Sequence, residues 1–454
     1  MAKKLEEWPW RDKYGDYAMV PVPEKETRSL LSIFYVYTGV LACIAVLWGG
    51  ATIGTQFCLK DAVLVAIVGS AILSVIGGLT APIGGVSKAS TYLNMRFPFG
   101  MLGSKVFGTI LAGISSGIGW FAVQAWLFGI IIHTLAPQAW WANVGVAAIW
   151  GGALMVTTAA IGFRGLASLS YIAVPFFMLL AGIGIMIGVE GGGGFAGIAA
   201  IAPTAPVSFG IGVTEVVGMY AVGGVITADI SRYAKRYYDG SVAWIVQLMI
   251  FQVYMLVGAA MLTLVTGAAN VAQALLVGGA GLGAFLMAML GQWTTNDNNL
   301  YSGALSFSLW IPTKKSYITI GEGIIGITVA ALIGFVAGEA MAPFQEFLTL
   351  LGKIIPPIGG VLLADFYLFR WYRGIPFKKR YQFKPGMKFA QVNWVGWASM
   401  IAATVLGGWV IKGGIACLNG LIIAFVLYAM IAILCDKAGI AIEFGEHTID
   451  ETGM

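Results

Sequence analysis

Apolar runs recur along almost the whole chain, at roughly residues 31–53, 62–84, 104–133, 142–161, 167–188, 208–230, 241–267, 281–310, 320–338, 345–369, 393–411 and 414–435. Each is close to the about 20 residues a helix needs to cross a bilayer. The pattern predicts an all-α polytopic membrane protein of twelve transmembrane helices, with both termini on one side. Most polar residues fall between the runs, and within the runs one cluster stands out. The stretch Gln292-Trp293-Thr294-Thr295-Asn296-Asp297-Asn298-Asn299 lies between the apolar segments Leu282–Leu290 and Leu300–Ile311, at a depth where hydrocarbon would surround it. Hydroxyls, amides and a carboxylate are costly there unless they face a protein interior, a water-filled cavity or a ligand. Contacts between helices usually need one polar residue, so a run of them marks a candidate functional site.

Composition supports the membrane reading. With 59% hydrophobic and 10% charged residues, 63 glycines and a mean hydropathy of +0.86, the chain is far outside soluble-domain usage. Its basic residues alternate between loops: Lys88, Arg96, Arg164, Arg232, Lys235, Arg236, Lys314, Lys315 and a dense set from Arg370 to Lys388 share one side, while Lys60 and Lys412 mark the other. The positive-inside rule then places both termini in the cytoplasm of a cytoplasmic (inner) membrane protein. Residues 1–29 read as a polar cytoplasmic arm and no signal peptide, 375–392 as a basic cytoplasmic loop, 393–435 as helices 11 and 12, and 436–454 as a cytoplasmic tail. The net charge of +5 reflects this topology, not nucleic-acid binding.

Cys43, Cys58, Cys417 and Cys435 have no metal-binding spacing, and His133 and His447 lie at a span end and in the tail. Zinc signatures, phosphate loops and nucleophile elbows are absent from the sequence, which argues against a membrane enzyme and implies no cofactor. Span 1 reads Tyr37-Thr38-Gly39-Val40-Leu41-Ala42-Cys43 and span 6 reads Gly218-Met219-Tyr220-Ala221-Val222-Gly223-Gly224. Glycines at mid-depth allow helices to unwind and expose backbone groups to an ion or a ligand. The two spans hold matching places in two five-helix halves, about 30–188 and 208–374, which together make a ten-helix transport core. Discontinuous helices in corresponding spans of inverted repeats point to a transport site.

Several motifs together resemble the nucleobase:cation symporter-1 family, and within it the bacterial cytosine permeases. They are Trp293-Thr294-Thr295-Asn296-Asp297-Asn298, Ile355-Pro356-Pro357-Ile358-Gly359-Gly360-Val361 followed by Ala364-Asp365, Thr227-Ala228-Asp229, Gly119-Trp120-Phe121, Arg96-Phe97 with Phe99-Gly100, and Val392-Asn393-Trp394. The resemblance runs from about residue 20 to 435. It implies a leucine-transporter-like 5+5 inverted repeat plus two C-terminal helices, and cation-coupled uptake of a nucleobase such as cytosine or a related heterocycle.

The hydroxyls of Thr294 and Thr295 and the carbonyls of Gly291, Gly39 and Ala42 offer five neutral oxygens, a set suited to a hard monovalent ion. The resemblance implies that these positions bind sodium. It likewise implies a substrate sandwiched between the rings of Trp120 and Tyr220. Gln124, one turn from Trp120, together with Met219, Gln292, Asn296 and Asp297, would supply the remaining contacts. Cytosine permeases carry Gln where this chain has Gly117 and a small residue where it has Gln124. The latter is reminiscent of the family's hydantoin transporters, so hydantoin, allantoin or hydroxymethylpyrimidine is the alternative substrate class, and proton coupling the alternative to sodium.

Glu215 in span 6 and Lys353 in span 10 each lie about eight residues, roughly 12 Å of helical rise, from the outer end of their helices. An unpaired charge at that depth is expensive. The two are expected either to pair as a gate across the cavity's outer mouth or to face water in a vestibule.

Overall fold

The computed structural model describes residues 15–448 apart from 161–162, 269–270, 278, 280, 339–341, 385–386 and 444–446. Its helices follow the apolar runs. The first run forms α1 (Leu30–Leu41) and α2 (Ile44–Gln56), bent by 55° at the break between them. Then come α3 (Leu59–Ser87), α4 (Arg96–Leu135), α5 (Val144–Ala159), α6 (Phe163–Gly191), α7 (Phe209–Ser231), α8 (Asp239–Thr266), α9 (Gly281–Phe307), α10 (Lys315–Val336), α11 (Phe344–Tyr372), α12 (Trp394–Val410) and α13 (Ala416–Lys437). Among the described residues, eight helices are long and apolar enough to cross a membrane, and the bent pair makes a ninth. The helices α5 and α12 are apolar but shorter, and α9 carries the polar run.

The first break comes three residues past Gly39. Ala42 (φ −72°, ψ 72°) and Cys43 (φ −138°, ψ 164°) leave the helical region. An interrupted helix exposes carbonyls without donors and amides without acceptors, and α9 supplies the missing partners. Thr294 Oγ1 donates to the Gly39 carbonyl and Thr295 Oγ1 to the Val40 carbonyl, both at 2.8 Å, while Gln292 Oε1 accepts the Ile44 N–H at 3.3 Å. The polar run thus gives partners to the Gly39 and Val40 carbonyls and to the Ile44 N–H at the gap in another helix.

The second break is at Tyr220 (φ −135°, ψ 17°), within α7. Close approach of α7 and α11 fixes this region: a Cβ on Gly218 would lie 2.0 Å from the Leu348 carbonyl oxygen, and one on Gly352 would lie 2.7 Å from that of Thr214. The helix α4 is wound as a π-helix from Thr109 to Trp120, and Ser115 Oγ bonds back to the Ile110 carbonyl at 2.6 Å. Such widened turns often mark functional sites.

At the basic end of the bundle the described part of the N-terminal arm is tied down. Arg232 donates to the carbonyls of Tyr17 (2.7 Å) and Asp16 (2.9 Å) and to the Tyr301 hydroxyl (2.8 Å), and Lys315 Nζ lies 3.2 Å from Asp16 Oδ2. The basic loop and tail meet as an antiparallel pair, β1 (Lys388–Phe389) with β2 (His447–Thr448). Arg370 bonds Asp365 at 2.9 Å and Glu443 at 2.8 Å. Burial pushes the Glu443 carboxyl above its ordinary value, against the lowering effect of the Arg370 guanidinium.

Candidate functional site

Both helix breaks open onto one cavity with about 480 Å³ of empty space, mouth included. Its wall is formed by Cys43 from the first break, Trp120 and Gln124 from α4, Met219 and Tyr220 from the second break, and Thr295, Asn298 and Asn299 from α9. An apolar cleft with a few convergent polar groups is the usual form of a small-molecule site.

The two rings are held by different neighbours. Phe347 packs against Trp120 nearly edge-on, with centroids 5.3 Å apart and planes at 69°. Tyr220 stacks on Trp244 at 4.8 Å and 27°, and Trp244 is anchored by its Nε1–H to the Leu73 carbonyl at 2.9 Å. One face of Tyr220 is therefore covered by protein, and the residue also borders the cavity. Met219 turns toward α2, where a Cβ on Gly49 would lie 2.1 Å from its sulfur; the absent side chain makes room for the thioether.

Gln124 Oε1 and Asn298 Oδ1 are buried and accept no hydrogen bond. Buried amide oxygens are seldom left so, and both residues line the cavity. Two acceptors without donors thus stand at the cavity wall. By contrast, Gln292 is committed at both ends, accepting the Ile44 N–H and donating Nε2–H to the Gln124 carbonyl at 2.8 Å. It is a strut between α9, α4 and the first break.

Beside the cavity, Thr294 Oγ1 is 2.8 Å from the Gly39 carbonyl and 3.1 Å from that of Gly291. One hydroxyl hydrogen cannot serve both carbonyls, so the cluster is rich in lone pairs, as a cation site requires. Gly291 also carries a packing demand, since a Cβ there would lie 1.9 Å from the Phe177 ring.

Residues 19–432 match the family described as permease for cytosine/purines, uracil, thiamine, allantoin. The chain belongs to that family, the nucleobase:cation symporter-1 transporters. It is a membrane permease and not an enzyme. The cytosine permease of Escherichia coli strain K12 is 29% identical over 395 residues, covering 87% of this chain and 89% of that one. A hydantoin permease of Microbacterium maritypicum is 25% identical over 370 residues, covering 73% and 71%. Among solved structures, the nucleobase-cation-symport-1 transporter Mhp1, closed with bromovinylhydantoin bound, superposes with a TM-score of 0.78 at 18% identity, covering 94% of this chain and 97% of that one. MhsT in complex with L-phenylalanine gives 0.56 at 10% identity, covering 90% and 98%. The family member described here thus has the leucine-transporter-like fold.

The structure gathers Trp120, Gln124, Met219 and Tyr220 around one cavity and places Thr294, Gly39 and Gly291 together beside it. Ala42 sits in the break, its N–H bonded to the Thr38 carbonyl. Thr295 directs its hydroxyl to Val40 and also borders the cavity, so it stands apart from the Thr294 cluster.

Other expectations need correction. Asp297 does not line the cavity; it accepts a 2.6 Å hydrogen bond from Thr158 of α5. At about 100° per residue, position 297 lies some 200° around α9 from Thr295, on the opposite face. Asn296 is also outside, and it braces Asn299 at 3.1 Å while bonding the Phe121 carbonyl at 3.3 Å. Conversely, Asn298 and Asn299, part of the polar run but not among the expected ligand contacts, do line the cavity. Spacings of three and four from Thr295 put them on its face, a signal present in the run itself.

Glu215 and Lys353 form no ion pair. Glu215 Oε2 accepts from Gln56 Nε2 at 3.0 Å, while Lys353 Nζ lies 5.4 Å from the Trp409 ring centroid and its stem packs on Gly408. The reason is the close contact of α7 with α11. The face of α11 toward α7 is Gly352, and the next residue, turned about 100°, is carried to α12.

Proposed function

We propose that this permease takes up a nucleobase-like heterocycle together with a cation, by alternating access around the cavity between the two helix breaks. The observation that carries the reading is the pair of unpartnered acceptors, Gln124 Oε1 and Asn298 Oδ1, bordering a cavity that also presents Trp120 and Tyr220. Rings offer stacking with little directional information; the two amides add selectivity for a planar ligand with N–H donors. Cytosine or a related pyrimidine or purine is the first candidate, given the cytosine permease relative. A hydantoin-type ring is the second. It is favoured by Gln124 one turn beyond Trp120 where Gly117 carries no side chain, and by the hydantoin permease relative.

Sodium is the proposed coupling ion, held by Thr294 Oγ1 and the carbonyls of Gly39 and Gly291. Because Thr294 and Thr295 both close the first break, an ion here would fix the same helix end that borders the substrate cavity, giving the two ligands a shared element through which to couple. The protein is placed in the cytoplasmic membrane with both termini inside, on the distribution of basic residues. The two five-helix halves, 30–188 and 208–374, are proposed to be inverted repeats that rock against each other.

A thermal-shift screen of purified protein against cytosine, uracil, adenine, allantoin and hydantoin, in sodium and in choline at constant pH, tests this. The expected result is stabilisation by one ring class that deepens in sodium. Stabilisation by none of them would overturn the substrate reading, and equal stabilisation in choline would overturn the sodium site.

A further inference from the structure

Glu322 lies two turns after Lys315 on α10, is 3% exposed, and has no hydrogen-bond partner for either carboxyl oxygen. It is lodged where α4 and α9 cross. A Cβ built on Gly117 or on Gly303 would come within 2.2 Å of Glu322 Oε1, and one on Gly303 would lie 2.8 Å from the Gly117 Cα. Both helices lack a side chain at the place the carboxyl fills.

The wall beside it is also the cavity wall. Ser116 precedes Gly117, Asn299 is one turn before Gly303, both border the cavity, and Ser116 Oγ donates to Asn299 Oδ1 at 3.0 Å. In the other direction, Lys315 leads to Asp16 at 3.2 Å, whose side chain is 26% exposed at the basic end. Glu322 therefore sits between the cavity and the basic end of the bundle.

The charges around it do not neutralise it. The π-wound part of α4 and all of α5 carry no titratable residue, and His133 is at the far end of α4. From α9 come Asp297, held by Thr158, and Tyr301, held by Arg232. Tyr92, just before α4, is bonded to Asp229 at 2.6 Å. On α10 itself Lys315 is engaged by Asp16. A buried carboxylate with no hydrogen-bond donor, whose nearest cation on its own helix, Lys315, is paired with Asp16, is costly. A bound proton removes the charge.

We propose that Glu322 is a proton-binding site, loaded from the cavity and discharged toward Asp16 as the transporter cycles, so that a proton moves with the substrate in addition to sodium. This rests on the transport reading above. The step is a proton transfer alone: an O–H bond forms with a proton from cavity water and later breaks to water at the basic end, with no electron transfer. The glycine-packed arrangement accommodates only the neutral carboxyl. Any movement that parts α4 from α9 admits water and favours release, so the proton and the helix packing bias each other.

Infrared spectroscopy of the purified protein in H₂O and D₂O is the direct test. The expected result at neutral pH is the carbonyl stretch of a protonated, unbonded carboxyl, absent in Glu322→Gln and shifted in Gly303→Ala, where the added methyl crowds the same oxygen. No such band at neutral pH, or a band unchanged in both variants, overturns the proposal whether or not any substrate is known. In proteoliposomes, net uptake of labelled cytosine or hydantoin should rise several-fold when the interior is made alkaline, and Glu322→Gln should lose that response. A response retained in Glu322→Gln also overturns it. Failure of every heterocycle to enter would count against the transport reading while the infrared result still decides the protonation of Glu322.

Discussion

The hydroxyl of Thr294 lies 2.8 Å from the carbonyl oxygen of Gly39, so a side chain of α9 closes the open end of α1. An ion at this point would add to the two hydrogen bonds, from Thr294 to Gly39 and from Thr295 to Val40, that join α9 to the end of α1. Thr294→Ala is expected to raise the sodium concentration needed for half-maximal ligand stabilisation about tenfold, the order expected for losing one buried polar contact. Thr294→Ser should stay close to wild type. Sodium titrations of ligand-dependent melting temperature read this out, and equal losses in both variants would assign the effect to the methyl group.

Trp120 and Gln124 divide affinity from selectivity. Trp120→Ala should abolish measurable binding. Gln124→Ala should weaken ligands with a matching N–H donor by roughly 5- to 150-fold, the range for leaving a buried polar group unpaired at about 1–3 kcal/mol, and spare ligands without one. Calorimetric titration of several heterocycles measures the order of preference. A uniform loss across all of them would make Gln124 a packing residue.

Glu215 and Lys353 should behave independently, because one is bonded to Gln56 and the other lies over Trp409. Gln56→Ala should lower the melting temperature more than Lys353→Met: the first strips a buried carboxyl of its donor, and the second removes a cation–π contact worth about 0.5–1 kcal/mol. The double variant Glu215→Gln/Lys353→Met should show additive effects. Recovery of stability in the double variant would instead restore the gate pair.

Glu443 makes docking of the tail depend on pH. Burial raises this carboxyl above its unfolded value even with Arg370 beside it, and Asp365 already balances that guanidinium at 2.9 Å. With the folded value raised, the stabilising contribution is full below the ordinary glutamate value and is lost as pH rises through the raised one. Amide exchange around Ala390, whose N–H donates to the Glu443 carbonyl at 2.8 Å, should therefore quicken from mildly acid toward neutral pH beyond the intrinsic increase. Glu443→Gln should flatten that excess.

The helical membrane fold was legible in the sequence because spanning a bilayer demands long apolar runs, and the polar stretch in the eighth run stood out because hydrocarbon makes such residues costly. The pairing of the candidate rings came through the resemblance to a family, whereas the oxygen-rich set around Thr294 could also be read from the residues themselves. What only the tertiary structure decided is which way each polar side chain on α9 faces, and what meets it there. Thr294, Thr295 and Gln292 serve the first break, Asn298 and Asn299 the cavity, and Asp297 the opposite helix. Glu322 drew no notice as one acid in an apolar run; its setting depends on Gly117 and Gly303, more than 180 residues apart in the chain, meeting without side chains. Hydrophobic burial fixes which segments form helices, since it depends on local composition. The packing of glycine against backbone fixes which helices touch, and so which polar groups are left to bind something else.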